Sequence, residues 1–425
     1  MHTLTLPDIA ERYFRRFGFR EEMLAHAPPA GIKLIIVIPC YDEPELLLTL
    51  NSLRDCSPPR FPVEVLLVIN AGAHEVEVKK RNRQSLRVAT DWARQQHNDW
   101  LHLHCLWVDD LPPKHAGVGL ARKIGMDEAL RRFARLDYNG MIVCLDADCT
   151  VAPNYLQTLE QLQTEQSPGS CTLHFEHRAE QMEDPSLKQG IIYYELFLRY
   201  YANALAYSGF PYSMHTIGSS MAVRADIYAL SGGMNRRKAG EDFYFLHKVV
   251  PLGTFRKVDA TAVFPSGRLS ERVPFGTGKA QQEWLDNPEK RGLAYHFDIF
   301  RDLKSFLSVV PALYKAEDGE YLRIMGAQPE TVQDFMSKQN LQERINEIKA
   351  NSASFKSFRK RFFAWFDGFK VLKFVHYCRD RYYKSVELPV TCNWLLEQHG
   401  FTATQEPSEL LSLYRRLDKE RSLKI

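Results

Sequence analysis

From Gly31 to about Asp148, short apolar runs alternate with longer charged stretches. That alternation predicts strands of a parallel sheet joined by crossover helices. Four runs read as strands: residues 33–38 (KLIIVI), 63–69 (VEVLLVI), 101–108 (LHLHCLWV) and 141–145 (MIVCL). Residues 45–54 and 120–136 carry apolar side chains at spacings of three and four, the period of an amphipathic helix. Open parallel sheets bind ligands at the carboxyl ends of their strands, which directs attention to residues 39–43, 70–73 and 146–148.

Beyond Asp148 the texture changes. Residues 155–163 and 189–207 read as helices, and a glycine-rich region follows with GSSMAVR, SGGM, GEDF and SGRLSERVPFGTGK. From about Pro288 onward the pattern is helical and rich in Lys, Arg, Phe and Tyr. The expected organisation is an N-terminal helical segment (1–30), two halves of one α/β domain (31–150 and 151–287), and a helical C-terminal appendage (288–425).

The chain has 425 residues, of which 45% are hydrophobic, enough for a substantial core and for two or three domains by length. A net charge of +3 gives no argument for nucleic acid as partner. The first residues alternate charge with aromatics and lack the apolar run of a secretory signal, and no segment approaches about 18 uninterrupted apolar residues. The expected location is the cytoplasm. Eight cysteines show no CxxC pair and are expected as reduced thiols.

Two acidic pairs carry the candidate chemistry. Asp146 and Asp148 follow the fourth strand two residues apart, so both can reach one hard cation whose other ligands are phosphate oxygens and water. Such a cation offsets charge on a departing diphosphate. Alone, two aspartates near a turn are common. Asp42 and Glu43 follow the first strand, where a carboxylate can accept hydrogen bonds from a base or ribose, or start a helix.

IVIPCYDE, GVGLARKIGMDEAL, CLDADCTVAPNYL, GSSMAVRADIYALSGGM and GEDF occur in this order between Lys33 and Phe243, and the set resembles glycosyltransferase family 2. The resemblance implies a GT-A fold: α/β, a Rossmann-like, mostly parallel central sheet flanked by helices, here with a helical C-terminal extension. It also implies a nucleoside diphosphate sugar as donor, a divalent cation (Mn2+ or Mg2+) and a hydroxyl acceptor, with a glycan or lipid-linked glycan as candidates.

Carried over by position, Asp148 and Asp146 resemble the metal pair, with Asp146 near the ribose as well. Pro39, Tyr41 and Glu43 fall in the nucleoside pocket. Lys114 and Arg122 border the nucleotide, where a cation suits a diphosphate; a solvated helix charge is the other reading of Arg122. Where the family has an aspartate after its second strand, this chain has Asn70, which offers hydrogen bonds but no charge, so the base stays open. Gly218 and Ser219 resemble the segment beneath the donor sugar, or pack tightly against the sheet. Asp242 resembles the base that deprotonates the acceptor, with Glu241 supporting it; both also suit the first turn of a helix.

Arg268, Arg272 and Lys279 lie in a Gly/Ser/Pro-containing loop suited to closing over a diphosphate. No QxxRW signature of processive members is present, which disfavours polymer synthesis. Residues 355–384 mix cations with aromatics; packing onto the parent domain is the favoured reading, with peripheral contact to an anionic membrane as the alternative. The expected function is metal-dependent, inverting transfer of a single sugar, in glycan or glycolipid biosynthesis. A retaining GT-A transferase and a non-catalytic nucleotide-sugar-binding protein are the competing readings.

Overall fold

The computed structural model describes residues 4–96, 98–270 and 276–422. Its backbone contacts divide the chain into two compact units, one of residues 1–188, 216–283 and 422–425, the other of 189–215 and 284–421. The elements run α1 (Leu6–Phe17), β1 (Leu34–Cys40), α2 (Leu46–Arg54), β2 (Val63–Gly72), α3 (Val76–Gln95), β3 (Leu101–Leu111), α4 (Val118–Arg135), β4 (Met141–Cys144), β5 (Thr150–Val151), α5 (Tyr155–Gln161), β6 (Ser170–Phe175), α6 (Pro185–Tyr207), β7 (Met221–Arg224), α7 (Ala225–Leu230), α8 (Glu241–Val249), β8 (Phe255–Phe264) and α9 (Thr277–Asp286).

In the first unit the strands form one sheet in the order β3-β2-β1-β4-β7-β6-β8-β5. The half built from β1 to β4 is parallel throughout, and β7 enters antiparallel between β4 and β6. This is the α/β sheet flanked by helices that the alternating pattern predicts. β1 is buried along its whole length, as a run of Leu, Ile and Val covered on both faces must be. Its pairing with β4 ends at Val37, while pairing with β2 continues to Cys40. Pro39, which has no N–H to donate, therefore sits where the ladder is one-sided. Beyond it β1 and β4 part, at the point where the strand order reverses, which is where a ligand crevice is expected.

Helix α4 lies closely on this sheet because Gly125 has no side chain: a Cβ there would run into Val37 and come within 2.8 Å of Val68. Being buried nearly all round, α4 must pair its charges. Arg132 is forked onto Glu64 of β2, and Lys123 lies 3.1 Å from Asp127. α1 docks on the same helix through Tyr13, whose hydroxyl donates to Asp127 at 2.6 Å and accepts from Lys123 at 2.6 Å.

Three local differences from the sequence pattern have physical causes. β2 and β3 run past 69 and 108 because Asn70 and Gly72, polar and small, still pair with Val108 and Leu111 around an irregularity. α3 has no predicted counterpart, since its buried positions are Asn82, Ser85, Ala89 and Trp92, helically spaced but mostly not apolar. α5 stops at Gln161 and continues as a π turn, residues 162–166.

The second unit is helical. To part of α6 it adds β9 (Leu293–Ala294), α10 (Asp298–Lys315), α11 (Asp318–Gly326), α12 (Glu330–Ser337), α13 (Leu341–Ala350), α14 (Phe355–Trp365), α15 (Gly368–Arg381), β10 (Val386–Glu387), α16 (Leu388–Glu397) and α17 (Pro407–Ser422). Its core is one cluster rich in Phe and Leu. α17 is held by Asp418, which accepts from Arg199 and, at 2.7 Å, from Asn203. No helix among the described residues is long and apolar enough to cross a membrane.

Candidate active site

The crevice between β1 and β4 collects most of the acidic candidates. Asp146 and Asp148 follow β4, with side chains 35% and 31% exposed, while Ala147 between them is buried. Across the opening, Tyr41, Asp42 and Glu43 follow β1. Asp42 takes a positive φ of 50° and is clasped by Arg81 of α3 at 2.6 and 2.8 Å, so it does not cap α2. Glu43 is buried; one carboxylate oxygen accepts from the Glu45 N–H at 2.9 Å and the other from Arg268.

Arg122 projects from the first turns of α4 and is 2% exposed, not solvated. Its two terminal nitrogens donate to Glu241 and to Asp146. Three glycines make room for this bridge. A Cβ on Gly119 would strike the Arg237 carbonyl and lie 3.0 Å from the Glu241 Cβ, a Cβ on Gly117 would lie 2.9 Å from the Lys238 backbone, and one on Gly218 would fall on the Arg122 guanidinium. The segment entering α8 thus rests on the start of α4, and Glu241 meets Arg122 there. Burial pushes the Glu241 carboxyl up to about 7, with Arg122 opposing the rise and Asp242 adding to it. Burial likewise raises Asp242, whose Oδ1 accepts from the Phe243 N–H at 2.7 Å. Both acids sit in the first turn of α8, as the helix-start reading has it.

Arg268, in the loop after β8, gathers the opposite rim. It pairs with Glu43, with Glu45 at 2.9 Å, and approaches Asp148 to 3.8 Å. Ser219 is buried, and the Cys149 thiol lies 3.6 Å from an Asp148 carboxylate oxygen. Pro39 and Asn70 are buried at the ends of β1 and β2; the Asn70 carbonyl accepts from Asn82 at 2.9 Å, and its Oδ1 has no hydrogen-bond partner among the described residues. Tyr41 donates to Glu75 at 3.1 Å. Lys114 is exposed between β3 and α4. Arg272 lies outside the described residues, and Lys279 is on α9.

A cation fits the donor set at the end of β4. Ligand atoms of Asp146, Asp148 and Cys149 lie within 4.8 Å of one another. Two partly exposed carboxylates, with Arg122 engaging Asp146 through one oxygen, are hard donors that leave room for phosphate oxygens and water. Buried and protonated, the Cys149 thiol is a minor donor beside them.

Residue-type reasoning did not single out Arg81, Asn82, Glu75 or Glu45. The first three lie on or beside α3, where no apolar period marks a helix, and Glu45 reads as an ordinary helix-start acid.

No family model matches the chain, and no curated protein matches it in sequence. Among solved structures the chain is similar to residues 1–349 of TarS from S. aureus, at TM-score 0.40 and 12% identity over 75% of this chain and 89% of that one. The same protein in complex with UDP-GlcNAc gives 0.40 and 13%, over 71% and 82%. GalNAc-T7 with UDP, GalNAc and Mn2+ gives 0.34 and 13%, over 70% and 55%.

Proposed function

We propose that the chain is a glycosyltransferase of the GT-A type, akin to family 2, that moves one sugar from a nucleoside diphosphate donor to an acceptor hydroxyl with inversion. The observation that carries the reading is the Arg122 bridge. It ties Asp146, at the end of a central strand, to Glu241, beside Asp242 at the start of α8, and so joins a donor-side acid to an acceptor-side acid at one crevice. A nucleotidyl transferase would use the first pair but has no evident need of the second.

In this reading Asp148 and Asp146 would hold a divalent cation, which when bound supplies Lewis-acid neutralisation of the leaving diphosphate. Pro39, Tyr41, Glu43 and Asn70 border the nucleoside; Asn70 brings an unpaired acceptor atom but no charge. Arg268, with Lys114, supplies cations on the donor side. Gly218 and Ser219 form the floor, where a Cβ on Gly218 would displace the Arg122 guanidinium. Asp242 accepts the acceptor hydroxyl's proton, and its burial makes it the stronger base. Glu241, locked by Arg122, keeps α8 in place. The acceptor is a glycan or lipid-linked glycan, and the proposed location is the cytoplasm.

Asp242→Asn tests the division of labour. The variant should bind donor nucleotide as the parent does and lose transfer by about two to four orders of magnitude, the usual contribution of a positioned base. Near-normal turnover would remove Asp242 from the mechanism. The stereochemistry of the product separates inversion from retention. UDP-GlcNAc, the ligand of one structural neighbour, is the first donor to try, and UDP, which would be its leaving group, the first competitor.

A further inference from the structure

Residues 355–373 of the helical unit, FKSFRKRFFAWFDGFKVLK, hold six cations and one acid. The fold sorts them by chemistry. Phe358, Phe362, Phe363 and Phe366 are buried in the unit's core. Lys356, Lys360 and Arg361 are exposed on the other arc of α14 and make no ion pair among the described residues. Arg359 is exposed too, 5.6 Å from the Phe363 ring. The single acid, Asp367, is turned inward as the cap of α15, accepting from the Lys370 N–H at 2.9 Å. On α13, which packs against α14, Glu347 is taken by Arg344. Among the described residues, no ion pair neutralises Lys356, Lys360 or Arg361.

Two aromatic rings stand out of the same segment. Phe355 and Phe369 are each 38% exposed, unusual for phenylalanine beside a complete core. Lys373 lies 4.5 Å from the Phe369 ring, and Lys370 lies 5.0 Å from Trp365. Exposed rings among unpaired cations suit an interface that is anionic at its surface and apolar just beneath it.

We propose that this strip binds the surface of an anionic lipid bilayer, with Lys356, Lys360 and Arg361 over the headgroups and the edges of Phe355 and Phe369 in the boundary layer. The inference does not depend on the sugar-transfer reading. A dissolved polyanion would engage the charges and leave the rings idle, so the rings decide between the two.

The test is cosedimentation of the full chain with vesicles of pure phosphatidylcholine and of phosphatidylcholine containing phosphatidylglycerol. Binding is expected only to the anionic vesicles and should fall with added salt. Lys356→Gln with Lys360→Gln should weaken it by about fivefold per residue, the share of one basic side chain near such a surface. Phe355→Ala with Phe369→Ala should weaken vesicle binding while leaving heparin binding unchanged. The lysine side chains are exposed, so the glutamine variant should melt like the parent; Phe355 also packs on Tyr314 and Phe358, so the alanine variant is assayed below its own melting temperature, with unchanged heparin binding as its folding check. Equal recovery with both vesicle types, full binding by the glutamine variant, or retention on heparin with no vesicle binding would each overturn the proposal.

Discussion

Arg122 and Glu241 meet as a buried ion pair, each side chain only 3% exposed, 119 residues apart in the chain. Neither charge has water to fall back on, so each depends on the other, and Asp146 shares the guanidinium from the side of the crevice. Removing one partner of such a pair leaves an uncompensated charge.

Arg122→Met should therefore cost about 3–5 kcal/mol of unfolding free energy at pH 8, where Glu241 is ionised. Urea unfolding measures it. Adding Glu241→Gln should recover part of the loss, because the stranded charge is gone. A single variant as stable as the parent would show that the pair is not formed.

The pH dependence follows from the raised Glu241 carboxyl. Unfolded, it titrates near its ordinary 4.5; folded, near 7. Between those values the folded state holds the extra proton, so stability is fully present below about 4.5 and declines as pH rises through 7. Asp242, shifted the same way, adds to the trend. Melting temperatures across this window should show a slope that Glu241→Gln makes shallower; an unchanged slope would place its origin elsewhere.

Gly218→Ala asks whether the floor of the crevice supports the bridge. The new methyl group falls on the Arg122 guanidinium. Overpacking of this kind costs about 1–3 kcal/mol. Thermal unfolding should show that loss, together with weakened nucleotide binding.

Arg268 belongs to a different regime, since it is partly exposed and its partner Glu45 more so. Screening limits the Glu45 pair to about 1 kcal/mol or less, but Glu43 is buried, so Arg268→Ala strands its carboxylate and should lower the melting temperature by more than the exposed pair alone would. Calorimetry should also show a loss of affinity for a nucleoside diphosphate. Unchanged affinity would remove Arg268 from the donor side.

What could be read from sequence was what local chemistry encodes. The apolar runs of β1 and β2 cannot be solvated and so announce strands, and the rule of strand ends led directly to Glu43 and Asp146. α3 escaped because its buried side includes Asn82 and Ser85. Arg122 could be read as a solvated helix charge because its burial is created by Glu241 and by glycines from distant segments. The Arg268 contact with Glu43 spans 225 residues, a distance no periodicity reports.

The proposed metal-assisted donor site is tested most directly by thermal shift with a panel of nucleoside diphosphate sugars, with and without manganese. A ligand that binds only the folded state raises the melting temperature in proportion to its occupancy. At least one donor should stabilise the parent chain strongly with manganese and weakly without it, and Asp148→Asn should erase the difference. Equal shifts with and without the metal, or an Asp148→Asn variant that responds like the parent, would contradict a cation held at the end of β4.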